Sequence, residues 1–93
     1  MKVLSAKWLQ ENDVPFLPLS IEREEVAGRP VTYVTFKVLR FDEESLEFHE
    51  TNGPLYKTQF VDPWAGPARS EERLGKPSRF VRVQSGYFIL VEA

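Results

Sequence analysis

The sequence has no cysteine and a single histidine, His49. Without thiols, neither a disulfide framework nor a thiolate metal site can be built. A zinc site made from one histidine and carboxylates is a poor match to normal zinc ligation. His49 lies in a short alternating run between Phe48 and Glu50, and the chain holds no glycine-rich phosphate loop and no nucleophile elbow. The expectation is a protein that is not an enzyme, with no catalytic residue, no metal site and no cofactor. No apolar run approaches the roughly 18 residues of a membrane span. Lys2 near the start is not followed by the apolar core of a secretory signal. A cytoplasmic protein that does not contact a membrane is therefore expected, in keeping with a chain free of cysteine.

Charge of one sign is also in short supply, with a net charge of −2. The distribution is less even than the sum. Residues 1–50 hold ten acids and six bases, whereas Lys57 to Arg82 holds six bases and three acids. The acidic clusters Glu22–Glu25 and Asp42–Glu44 read as solvated turns that keep strand edges soluble. Oxygen ligation of Mg²⁺ by Asp42, Glu44 and Glu47 is a distant alternative, because adjacent turn residues point in different directions.

What is present in quantity is strand-forming sequence. The 93 residues suffice for one domain, 1–93, with one modest core. Pro30 to Phe41 is the longest run of β-branched and aromatic residues, and the rest of the chain is organised around it. Val34, Phe36 and Val38 fall on one face, and Tyr33, Thr35 and Lys37 on the other. Leu39 and Phe41 have the opposite parity from the apolar set, which predicts a bulge or bend. Upstream, Leu17, Leu19 and Ile21 alternate with polar residues, and Gly28 suits the turn, so residues 16–41 read as one hairpin. Leu46 and Phe48 are expected to face inward. Thr51-Asn52-Gly53-Pro54 reads as a tight hairpin turn into a return strand, Leu55 to Val61. Phe80 to Gln84 and Tyr87 to Glu92 form a closing hairpin around Ser85-Gly86.

Helical signals are brief. Ser5 suits an N-cap, Asn12-Asp13 ends the segment, and Trp8 is expected to cover one end of the core. The stretch 62–78 breaks every strand pattern. Within it, Pro67 to Leu74 is bracketed by helix start and stop residues. The resulting order predicts a mainly β protein. It would be a small antiparallel β-barrel of the oligonucleotide/oligosaccharide-binding (OB) type, with a short N-terminal helix and a short helix before the last hairpin. An SH3-like barrel is the alternative.

Basic residues interleaved with aromatics are the strongest binding signal. Tyr33 and Lys37 share one face of the central strand, Lys57 rides on the return strand, and Phe80 lies between Arg79 and Arg82. If these converge, Tyr33 and Phe80 stack bases while Lys37, Lys57, Arg79 and Arg82 neutralise phosphates of a single-stranded nucleic acid. Phe80 packed beneath the connector is the competing arrangement. The second signal is the connector itself. Trp64 is either a core plug or an interface anchor, with Arg69, Arg73 and Lys76 on the same element.

The N-terminal two-thirds resembles small phage and prophage proteins of the OB-like, single-stranded-DNA-associated kind. The resemblance is carried by Leu4-Ser5-Ala6, the Leu17–Ile21 alternation leading to Glu22-Arg23-Glu24-Glu25, Gly28-Arg29-Pro30, and Thr51-Asn52. It covers roughly residues 3–60 and departs at His49-Glu50, where that group carries a more basic stretch. It implies an OB-like fold and association with single-stranded DNA. The functional expectation is a non-enzymatic binding module for single-stranded nucleic acid. The alternative is a protein-interaction module, or phage-type regulator, docking through the Trp64 connector or an exposed edge strand. Edge pairing would also permit a homodimer.

Overall fold

The fold comes from a computed structural model that describes residues 1–62 and 70–93. In chain order it contains β1 (Lys2–Val3), α1 (Ala6–Glu11), β2 (Phe16–Val26), β3 (Arg29–Asp42), β4 (Glu47–Glu50) and β5 (Tyr56–Phe60). A single 3₁₀ turn (Ser70–Arg73), β6 (Ser78–Arg82) and β7 (Phe88–Glu92) follow. The strands form one mixed, open sheet in the order β1-β5-β3-β2-β6-β7, with β4 also paired to β3. The protein is thus mainly β. The sheet is neither wholly antiparallel nor closed into a barrel, because β1 pairs with β5 in parallel and, among the described residues, no ladder joins the two ends.

The longest strand does organise the chain. β3 pairs with β2 along Arg29–Val38, and its turn places Ala27 and Gly28 at φ 51° and 76°. Positive φ at both residues of a two-residue loop matches the right-handed twist of the flanking strands. Val34 and Phe36 are fully buried on the inner face, while Tyr33, Thr35 and Lys37 are half-buried on the other. The irregularity expected in β3 lies instead in β2, where Leu19 is left over between the pairs Pro18↔Phe36 and Ser20↔Thr35. Pro18 has no N–H to donate, which favours a bulge at that point.

β4 and β5 do not form a hairpin with each other. Both run along the same edge of β3, opposite β2. The pairs Leu39↔Glu50 and Phe36↔Tyr56 bracket a break at residues 51–55. The Thr51 N–H and hydroxyl both donate to the Val38 carbonyl, while the Leu39 N–H donates to Pro15 on the other edge. Asn52-Gly53 therefore interrupts one long edge partner rather than reversing the chain. Leu46 is exposed, at φ 57° in the β3–β4 turn.

The sheet coils strongly. The Phe60 and Phe80 ring centroids are 5.0 Å apart, although β5 and β6 are separated by β3 and β2. Three flat strand spacings would span about 14 Å. α1 fills the hollow of the curl with Ala6 and Leu9, against Phe16, Val34, Phe36, Phe60 and Phe80. Ser5 accepts from the Trp8 N–H at 3.1 Å, satisfying one orphan donor of the first turn. Trp8 itself is half exposed, because Leu9 takes the inward position. The helix expected over Pro67–Leu74 is, among the described residues, the one 3₁₀ turn Ser70–Arg73; residues 67–69 lie outside the described residues. No helix among the described residues is long and apolar enough to cross a membrane.

Candidate functional site

The outer face of β3 and β5 brings together part of the expected platform. The Lys57 ammonium sits 4.7 Å from the centroid of the Tyr33 ring. Thr35↔Lys57 and Tyr33↔Gln59 are cross-strand pairs, so these side chains share one face. Lys37 belongs to that face and lies 3.8 Å from Glu50. Glu22 stands opposite Tyr33 on β2. Lys37 therefore already has a carboxylate neighbour, and the Tyr33 ring carries a cation of its own, Lys57.

Phe80 is not part of the platform. It is 2% exposed, with its ring 5.2 Å from Phe16, 5.0 Å from Phe60 and 6.2 Å from Phe88. The aromatic core needs this ring, so it cannot stack a base. Arg79 and Arg82 consequently separate. Arg79 points to the opposite side of β6 and lines an open cleft with Pro15, Leu39, Phe41 and Phe48. Arg82 is exposed at the mouth of the β6–β7 turn. Phe41 and Phe48 form a cross-strand, edge-to-face pair at 5.1 Å, with Phe41 45% exposed. They continue the Tyr33–Lys37 face. The parity change after Leu39 signalled this: the outer face turns apolar there.

The partner-binding residues expected on the connector divide similarly. Trp64 and Arg69 lie outside the described residues. Arg73 is committed internally, donating from Nε to Ser78 at 3.0 Å and from Nη2 to the Pro77 carbonyl at 2.6 Å. It pins the entry to β6 and is not a free anchor. Lys76 is exposed. The two ends of the connector are clamped to β2 by a charge cluster. Arg23 donates from Nη2 to Asp62 at 2.8 Å and from Nη1 to Glu71, and the Ser70 hydroxyl donates to Asp62 at 2.6 Å. Burial works against the Arg23 charge, but the bonds and charges of Asp62 and Glu71 outweigh it and raise its pKa.

In the β3–β4 turn the Asp42 carboxylate is structural. Asp42 accepts from the Glu44 N–H at 2.9 Å and from the Ser45 N–H. These bonds hold the Asp42 carboxyl below its usual pKa, the Glu44 bond contributing most and His49 and Arg40 adding attraction. Among the described residues, no three histidine, cysteine or carboxylate side chains are grouped to hold a metal ion.

A further surface has no counterpart in the local sequence patterns. Where the curl fails to close, a groove of about 420 Å³ runs between the α1 start, the end of β5 and the β6–β7 turn. Ala6, Phe60, Val61, Tyr87 and Phe88 supply an apolar lining. A second hollow continues it past Gln59 toward Val3 and Leu4. Three distant segments build this surface, so periodicity within any one of them does not reveal it; the exposed Tyr87 beside Gly86 is its only local sign. Comparison of the chain with family models, with curated proteins and with solved structures finds no match.

Proposed function

We propose that this chain is a non-enzymatic protein-interaction module that docks through the open seam of its curled sheet. The observation that carries the reading is the apolar groove beside a strand edge that β1 covers only at Tyr56 and Lys57. An exposed strand edge next to an apolar groove is the surface used in β-strand addition: main-chain hydrogen bonds supply affinity and alternate side chains fill the groove. Selection from a random peptide display library tests it. Sequences enriched on the native chain should be lost on Tyr87→Asp, which places a charge in the groove wall. No enrichment, or enrichment that Tyr87→Asp leaves intact, would rule the seam out.

A second reading is binding of single-stranded nucleic acid on the outer face. It is favoured by one observation: Tyr33, Lys37 and Lys57 share a face with the exposed Phe41–Phe48 pair and Arg79. It has less support than the seam, because Glu50 stands beside Lys37, Glu22 stands opposite Tyr33, and Phe80 is withdrawn to the core.

A further inference from the structure

The Lys57 carbonyl accepts from the Leu4 N–H on the side away from β3. Backbone groups alternate sides along an antiparallel strand, so those of Gln59 point the same way, and Val61 follows just past the end of β5. β1 pairs no further than Lys57 before the chain turns into α1. The seam thus presents the strand hydrogen-bonding groups of Gln59 at the end of β5, next to an apolar floor. Two cations stand at its rim. Lys7 lines the groove, and a methyl group placed on Gly86 would sit 3.9 Å from Arg82 Nη2. No carboxylate is among the described residues lining either hollow; Asp62, which follows Val61, is buried and accepts from Arg23 and Ser70, and Glu11 lies 3.9 Å from the Lys7 ammonium on the next helical turn.

We infer that the occupant of the seam is an extended, acidic segment of a partner protein. It adds a short strand to the edge of β5, lays apolar side chains on Val61 and Tyr87, and directs carboxylates to Lys7 and Arg82. This rests on the seam being the docking surface, and it deepens that reading by assigning backbone geometry and charge to the partner. Charge complementarity at a rim sets partner choice and encounter rate, and the pairing of alternate residues fixes which side chains enter the groove.

The test uses two short end-capped peptides, one alternating valine with glutamate and the other valine with lysine, each carrying a fluorophore for anisotropy. The glutamate peptide should bind the native chain about tenfold tighter or better. N-methylation of alternate amides in that peptide should weaken binding by a similar factor, a result that leaves the protein untouched. The double variant Lys7→Glu and Arg82→Glu, both at exposed positions, should reverse the preference. Equal binding of the two peptides, preference for lysine, absence of binding by the glutamate peptide, or indifference to N-methylation overturns the inference. Display-selected sequences that remain sensitive to Tyr87→Asp would in that event uphold the seam and discard only the acidic, strand-adding partner.

Discussion

Arg23 is the side chain on which the connector depends. Its guanidinium is 21% exposed and meets Asp62, whose side chain is 2% exposed, and Glu71. Among the described residues, two carboxylates surround this one guanidinium, and Arg23 Nε and Glu71 Oε2 are buried without a hydrogen-bond partner. Breaking a buried pair by removing one member is severe because the remaining charge stays desolvated. Arg23→Met should therefore cost about 3 kcal/mol, read as a lower urea midpoint at unchanged slope. A loss within the surface range of about 0.5 kcal/mol would show that the clamp is only a surface contact. Asp42 makes a pH-dependent claim. Its pKa is depressed below 3.8 in the folded chain, so its contribution is present above the unfolded value and lost as pH falls through the folded one. Asp42→Asn keeps an acceptor for the Glu44 N–H but removes the charge. The stability gap between native and variant chains should shrink as pH drops below 3.8, measured by denaturation along an acid series; a constant gap would contradict the assignment.

At the level of elements, the β6–β7 hairpin is the piece most dependent on its aromatic contacts. One backbone pair, Phe16↔Ser78, links it to β2, and the Phe80 ring supplies the packing that holds it down. Phe80→Ala should cost about 3–5 kcal/mol. Hydrogen exchange should show β6 and β7 amides losing protection before those of β2 and β3; a uniform loss would mean the sheet opens as one unit. This is also where strand periodicity misleads. Phe80, Arg82 and Gln84 share parity, and the two polar residues suggested an outer face. Arg82 is exposed because it lies at the turn end of β6, beyond the core, not because its face is solvated. The β2–β3 hairpin was far more legible, since length and Gly28 agreed, although the bulge at Leu19 breaks the Leu17–Leu19–Ile21 alternation and sets Leu17 and Ile21 on opposite faces. Its turn holds Ala27 at φ 51°, where a Cβ is disfavoured. Ala27→Asn should restore the preferred residue pair for this turn and add about 0.5–1 kcal/mol, visible as a rise of a few degrees in Tm. No rise would mean that Ala27 carries no strain.

The whole molecule differs from the expected barrel for a reason that no single element contains. Strand propensity and turn chemistry located α1 and the two hairpins correctly. They could not show that β4 and β5 share one edge of β3, because Asn-Gly serves an edge interruption as readily as a tight turn. That arrangement leaves the sheet open, and the opening is the seam. The outer face was legible in part: Tyr33, Lys37 and Lys57 converge as their parity implies, while Phe80 is withdrawn to the core and Phe41 with Phe48 takes the aromatic place. The two surfaces make opposite electrostatic demands of a partner, and this separates them in solution. A single strand on the outer face would neutralise phosphates with Lys37, Lys57 and Arg79. Each such contact contributes about −0.7 to the slope of log K against log salt, so three predict a slope of about −2 for a labelled oligo-dT. Glu50 and Glu22 would make the affinity low even in dilute salt, and Phe41→Ala should lower it further by about 1–3 kcal/mol if a base stacks there. A slope near zero, or binding unchanged by Phe41→Ala, removes the outer face from consideration. The mildly basic second half of the sequence would then have its use at the seam, where Arg82 joins Lys7 from the first half to make a cationic rim on a chain of net charge −2.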